Sequence, residues 1–235
     1  MALRAALFDF GGTLLDLESD RRARAASYDA LVRKLDLPMK GSEMFDAFSV
    51  LIEPAWAKAD GAGLSLKELT RSAYFEVLPS LGLEPAEKDW AWFWAAYLSL
   101  HKQLLTPRPY AASVLTDAKG LGLHVGLLTD VDNDFLEMAL GATNLKDRFT
   151  AITTSEEVRR TKPAKEMFLT AVQKAGCAPK QTVHIGDSVE RDVRGAKAAG
   201  LRTIHYAEDA CREADYCVAT HQEVSKVLAE LRGKA

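Results

Sequence analysis

The chain carries one carboxylate, Asp9, at the end of the apolar stretch Leu3 to Phe8, followed by Phe10-Gly11-Gly12-Thr13. Two glycines let a backbone turn tightly with its amides exposed, so an acid in that place can meet phosphate as a nucleophile. Covalent chemistry at a carboxylate needs fixed donors, a cation and a metal to manage the incoming charge. Groups of those types recur later. Thr129 ends the run Val125 to Leu128, Lys162 stands before Pro163, and Gly186-Asp187-Ser188 with Asp192 follows Thr182 to Ile185.

Each of these groups comes just after a segment that reads as a buried strand. From Pro107 onward the chain alternates strand-like and helix-like pieces, the pattern of a parallel sheet covered by helices. Helix Tyr110 to Gly120 leads to strand His124 to Leu128, helix Asn133 to Leu140 to strand Ala151 to Thr153, and helix Pro163 to Ala175 to strand Thr182 to Ile185. Helix Glu190 to Ala199 and strand Arg202 to His205 repeat the unit; a short strand, Tyr216 to Val218, and a helix, His221 to Leu231, complete it. The first strand has the same buried character and is expected to join this sheet. In open parallel sheets the ligand crevice lies beyond the carboxyl ends of the strands, where Asp9, Thr129 and Asp187 all fall.

Between Asp16 and Leu100 the spacing is helical throughout. Asp20 to Leu35 is one expected helix and Glu43 to Ala59 a second, interrupted at Pro54 and broken by Gly61-Ala62-Gly63. Ser65-Leu66-Lys67-Glu68 matches a capping box and opens a third helix. Pro85-Ala86-Glu87 opens a fourth, whose Trp90, Phe93, Trp94 and Tyr97 form one aromatic face and are read as packing rather than as a binding site.

The order Asp, Thr, Lys, Gly-Asp and a further Asp resembles the haloacid dehalogenase-like hydrolase superfamily, most of whose members are magnesium-dependent phosphatases. The resemblance covers nearly the whole chain. It implies an α/β fold, a Rossmann-like parallel-sheet core formed by residues 1–15 and 101–235, with residues 16–100 inserted as an all-helical cap. It also implies roles: Asp9 attacks phosphorus and becomes phosphoaspartate, Thr129 bonds a phosphoryl oxygen, and Lys162 neutralises charge. Phe10 joins the phosphate-binding set. Asp9, the backbone carbonyl of Gly11 and Asp187 hold Mg2+, while Asp192 holds a metal-bound water or orients Lys162. The chain departs from the family's phosphatases at Gly11, where they usually carry a second Asp as general acid and base. Metal binding through a carbonyl survives that change, whereas lost proton transfer costs typically ~10²–10⁴-fold in rate. Asp16, Glu18 and residues of the cap are candidate substitutes.

Other constellations carry the ordinary reading. Thr129-Asp130-Val131-Asp132-Asn133-Asp134 fails as a calcium loop, because Phe135 and Gly141 stand where glycine and a bidentate glutamate are required. Asp132 or Asn133 is instead expected to cap a helix. Pro163 at a first helical position would hold Lys162 at a defined boundary. His101, His124, His184, His205 and His221 form no helical pair at ligand spacing, and His184 and His205 lie inside strands.

Composition bounds the partners. With 235 residues, 48% hydrophobic content and a formal charge of −3, the chain is ordinary globular material with no basic excess for nucleic acid. No apolar stretch reaches the roughly 20 residues needed to cross a bilayer. Three cysteines, Cys177, Cys211 and Cys217, lack zinc spacing and suit a reducing, cytoplasmic setting with buried or inert thiols. The expected activity is a magnesium-dependent phosphatase, slowed by Gly11, acting on a small phosphorylated metabolite. The alternatives are a dehalogenase, which uses the same Asp on a carbon–halogen bond, and a phosphate-binding regulatory protein that has lost turnover.

Overall fold

A computed structural model describes residues 2–58, 65–209 and 212–233. Six strands form one sheet: β1 (Ala5–Phe8), β2 (His124–Thr129), β3 (Ala151–Thr154), β4 (Thr182–Gly186), β5 (Arg202–Tyr206) and β6 (Tyr216–Val218). Their order is β3-β2-β1-β4-β5-β6 and every neighbouring pair is parallel. This is the doubly wound α/β arrangement that the alternation of elements predicts. Strands covered on both faces must be apolar along their whole length, and β1 and β4 are buried at every residue. Because β1 lies in the middle, between β2 and β4, the chain reverses its winding there, and the carboxyl ends of β1 and β4 open a crevice.

Ten helices flank or extend the sheet among the described residues. α1 (Leu17–Lys34), α2 (Gly41–Lys58), α3 (Leu66–Ser80) and α4 (Glu87–Leu104) follow β1 without an intervening strand. α5 (Ala111–Gly120), α6 (Asn133–Ala142), α7 (Ser155–Val158), α8 (Lys165–Ala175), α9 (Gly195–Ala198) and α10 (His221–Gly233) alternate with the remaining strands. α2 runs through Pro54 without a break. The expected breaker Gly61-Ala62-Gly63 and Cys211 lie outside the described residues. α4 continues to Leu104, past the expected join at residue 100.

The aromatic face of α4 is the core of the four-helix layer. Trp90, Phe93, Trp94 and Tyr97 are buried, and Phe93 meets Tyr28 of α1 at 5.5 Å between ring centroids while Trp90 meets Tyr74 of α3 at 5.7 Å. Both contacts are tilted, an arrangement that suits the ring quadrupoles. No helix among the described residues is long and apolar enough to cross a membrane. Cys177 is half-buried beside the Thr182 hydroxyl and Cys217 is exposed, so the buried half of the expectation does not hold for Cys217.

Candidate active site

The crevice gathers the residues that the sequence scatters over 184 positions. Asp9 leaves β1 with its backbone N–H donating to the Ile185 carbonyl at 2.9 Å, so it is pinned directly against β4. Lys162 Nζ donates to Asp9 Oδ1 and to Asp192 Oδ1, both at 2.6 Å. Asp192 is fully engaged: Oδ1 also meets His184 Nε2 at 2.8 Å, and Oδ2 accepts from Ser188 N at 3.0 Å. Asp9, Gly11, Thr129, Lys162, Asp187 and Asp192 all line one cavity of about 230 Å³. Phe10 is wholly buried beside it, leaving only its backbone to serve a ligand.

Two glycines make this closeness possible. A Cβ on Gly12, whose φ is +78°, would lie 2.2 Å from Asp187 Oδ2; one on Gly186 would lie 2.3 Å from the Asp192 carboxyl carbon. Gly11 differs, since its φ is not positive and a Cβ there would meet nothing within 4 Å.

The charges do not balance within the protein. Oxygens of Asp9, Asp187 and Asp192 lie within 4.8 Å of one another, and Lys162 is the cation among them. Burial pushes the Asp9 carboxyl up to about 7, with Asp192 and Asp187 adding to it and Lys162 opposing. Burial and then Asp192 raise Asp187 to about 6. Burial would likewise raise Asp192, but Lys162 and His184 outweigh it and hold this carboxyl well below the ordinary range. Lys162 is itself pushed up, because Asp192 and Asp9 outweigh the burial that would lower it. Two carboxylates held close and raised in this way form an oxygen site with unneutralised charge, which suits a hard divalent cation.

A family model described as haloacid dehalogenase-like hydrolase matches residues 3–200. The chain belongs to that family. It is 27% identical to phosphoglycolate phosphatase of Escherichia coli over 209 residues, 86% of this chain and 80% of the relative. It is also 27% identical to pyrimidine 5'-nucleotidase YjjG of Escherichia coli over 163 residues, 69% and 70% of the two chains. Among solved structures, the HAD-hydrolase YfnB from Bacillus subtilis bound to magnesium superposes with a TM-score of 0.77 at 22% identity, covering 97% of this chain and 100% of that one. The 2-haloacid dehalogenase from Pseudomonas syringae does so with a TM-score of 0.76 at 23% identity, covering 97% and 99%. These last two likenesses speak to the fold.

Within this hydrolase, several residues at the site escape a reading of sequence. His184 is not mere strand packing, since its Nε2 bonds Asp192 Oδ1 at 2.8 Å, and His205 Nε2 meets the Asp187 carbonyl at 2.9 Å. Asp130 Oδ1 accepts from Lys162 N at 2.9 Å and its Oδ2 accepts from Arg191 Nη2 at 2.6 Å. That pair, rather than a helix start, fixes Lys162: α8 begins at Lys165 with Ala164 as its cap, and Pro163 lies before it. The expected helix from Glu190 opens instead as a wide π-type turn, Val189–Arg194, leading into α9. Asp132 is the N-cap residue of α6 and its carbonyl accepts from Leu136 N at 2.8 Å, but its side chain bonds no N–H of that helix; Oδ2 accepts instead from Lys67 N of α3. Asp16 caps α1 through Glu18 N and Ser19 N, and Glu18 pairs with Arg21 on the surface.

Proposed function

We propose that this hydrolase is a magnesium-dependent phosphatase that transfers the phosphoryl group of a small phosphorylated metabolite to Asp9 and then to water. The observation carrying the reading is the oxygen cluster of Asp9 and Asp187 beside a fully engaged Asp192. Displacement at a carbon–halogen bond needs no such surplus of buried negative charge. Asp9, Asp187 and the Gly11 carbonyl would hold the metal, which supplies charge neutralisation for the phosphoryl oxygens. In the first step the free Asp9 oxygen attacks phosphorus and the phosphorus–oxygen bond to the leaving group breaks, the departing alkoxide taking its proton from solvent. Lys162 stays bonded to the other oxygen of Asp9, and Thr129 and the backbone at Phe10 receive the phosphoryl oxygens. Water then attacks phosphorus, returning Asp9 and releasing inorganic phosphate. Asp192 serves by holding Lys162.

On this reading residues 16–100 act as a cap over a core of residues 1–15 and 101–235. Phosphoglycolate phosphatase and pyrimidine 5'-nucleotidase, the named relatives, both act on small phosphate esters, which supports the substrate class. Gly11 favours two competitors, a dehalogenase and a phosphate-binding protein with lost turnover, because no second acid follows Asp9. Magnesium-dependent release of phosphate from a generic aryl phosphate, with Asp9→Asn as the blank, tests the assignment. Turnover that survives Asp9→Asn, or that ignores magnesium, would remove it.

A further inference from the structure

Arg191 is the feature of the site that the phosphoryl chemistry leaves without a task. Four acids line the 230 Å³ cavity, Asp9, Asp130, Asp187 and Asp192, against two cations, Lys162 and Arg191. Lys162 is enclosed between Asp9 and Asp192 at 2.6 Å from each and is 4% exposed, so its charge is spent inside the catalytic cluster. Arg191 is placed differently. Its guanidinium bonds Asp130 through Nη2 and lies 5.1 Å from the ring centroid of Trp56, which reaches across from α2. Asp130 is in turn locked to the Lys162 backbone.

The guanidinium is therefore held on one edge by a carboxylate and on one face by an indole, a combination that fixes its plane. Arginine presents five N–H donors in a fork, and the bond to Asp130 uses Nη2. The side chain is 29% exposed against 10% for Asp130, and both residues line the cavity. Along the wide turn Val189–Arg194 the two neighbours diverge: Asp192 bonds Lys162 while Arg191 bonds Asp130, and both line the cavity. A π-type turn at a functional site is a recurrent device for this kind of re-aiming.

We propose that Arg191 reads a carboxylate on the leaving group, so that the substrate is a short phosphorylated carboxylic acid rather than a sugar phosphate or a nucleotide. The inference rests on the phosphatase reading for its turnover, although not for its binding. A planar fork recognises carboxylate with two parallel hydrogen bonds, and an anchored fork loses little freedom in doing so. Size points the same way. A cavity of about 230 Å³ falls below the ~300–1,000 Å³ of ordinary ligand pockets, which leaves room for a phosphoryl group and a few further atoms.

The test compares phosphoglycolate with hydroxyethyl phosphate, which has an alcohol in place of the carboxylate, in wild type, Arg191→Gln and Arg191→Lys. The readout is the ratio of kcat/KM between the two substrates. Wild type should favour the acid by roughly 10- to 100-fold, the size of one or two charge-assisted hydrogen bonds. The ratio should collapse toward one in Arg191→Gln and be partly kept in Arg191→Lys. A wild-type ratio near one, or a ratio unchanged in Arg191→Gln, overturns the proposal; loss of both activities in equal proportion would mark Arg191 as a strut between Trp56 and Asp130. Calorimetric binding of glycolate is measured alongside. Arg191-dependent glycolate binding without any turnover keeps this inference and removes the phosphatase reading, whereas neither turnover nor such binding removes both.

Discussion

Lys162 and Asp192 meet at 2.6 Å with side chains 4% and 2% exposed, and the same ammonium reaches Asp9 at the same distance. A lysine shared between two buried carboxylates is held by both, so each acid sets the position of the cation for the other. Removing one partner of a buried pair costs about 3–5 kcal/mol, because the remaining charge is stranded. Asp192→Ala should fall at the low end of that range, since Lys162 keeps Asp9, while His184 Nε2 and Ser188 N lose their acceptor. Asp192→Asn keeps the shape and one acceptor oxygen and should cost less. Urea unfolding of both variants checks this; equal midpoints for wild type and Asp192→Ala would show that the cluster is not a structural unit.

Gly12 gives a second prediction. At φ +78° any other residue is strained, and a Cβ would stand 2.2 Å from Asp187 Oδ2, so Gly12→Ala must displace that carboxylate. The strain costs about 1 kcal/mol or more, and the larger effect falls on the metal, which would lose the geometry of a ligand. The magnesium concentration for half-maximal activity should rise at least tenfold while the melting temperature falls only modestly. An unchanged magnesium requirement in a stable Gly12→Ala protein would count against Asp187 as a ligand.

The third concerns pH. Without metal, Asp9 is pushed up to about 7 and Asp187 to about 6, above their unfolded values near 4. A carboxyl raised on folding stabilises the fold below its unfolded pKa, and that contribution is lost as pH rises through the folded pKa. The chelated protein should therefore lose melting temperature between pH 4 and pH 8 from these two groups. Magnesium binds the ionised form and adds stability by mass action, so its stabilising shift should be larger at pH 8 than at pH 5. Differential scanning fluorimetry with and without chelator reads this directly, and a shift equal at both pH values would contradict it.

Much of this arrangement is legible in the sequence, for a specific reason. A parallel strand buried on both faces must be a continuous apolar run, so the polar residue that ends such a run announces the sheet's carboxyl edge. Asp9, Thr129 and Asp187 are found that way. His184 is not, because a polar residue inside β4 has no local mark that distinguishes packing from bonding; its partner Asp192 sits eight residues on, in a turn whose π-type widening has no periodic signature. Arg191 and Asp130 are 61 residues apart, and Trp56 comes from another layer, so their meeting is a product of the fold alone. Pro163 misleads because proline favours a first helical position only on average, and here α8 starts two residues later.

The last prediction concerns Gly11 itself. Without a carboxyl two residues after Asp9, the leaving oxygen must depart with little help, so turnover should depend on how acidic the leaving alcohol is. Aryl phosphates should outpace alkyl phosphates of equal size by about 10²-fold or more. Asp130 does not rescue this, since both its oxygens are engaged, by Lys162 N and by Arg191. Asp16 and Glu18 are committed to the cap of α1 and to the surface. Gly11 lines the cavity, has no positive φ, and leaves open space where a Cβ would stand, so an aspartate can be accepted there without the strain that Gly12 would suffer. Gly11→Asp should then raise kcat on alkyl phosphates by about tenfold or more while changing kcat on aryl phosphates much less, and a Brønsted plot over leaving groups should flatten. Melting temperature within a few degrees of wild type would show that the fold is intact. If that stable variant is no faster on alkyl phosphates and its Brønsted slope is unchanged, the proton already comes from a donor other than this position, and the departure at Gly11 has no kinetic consequence.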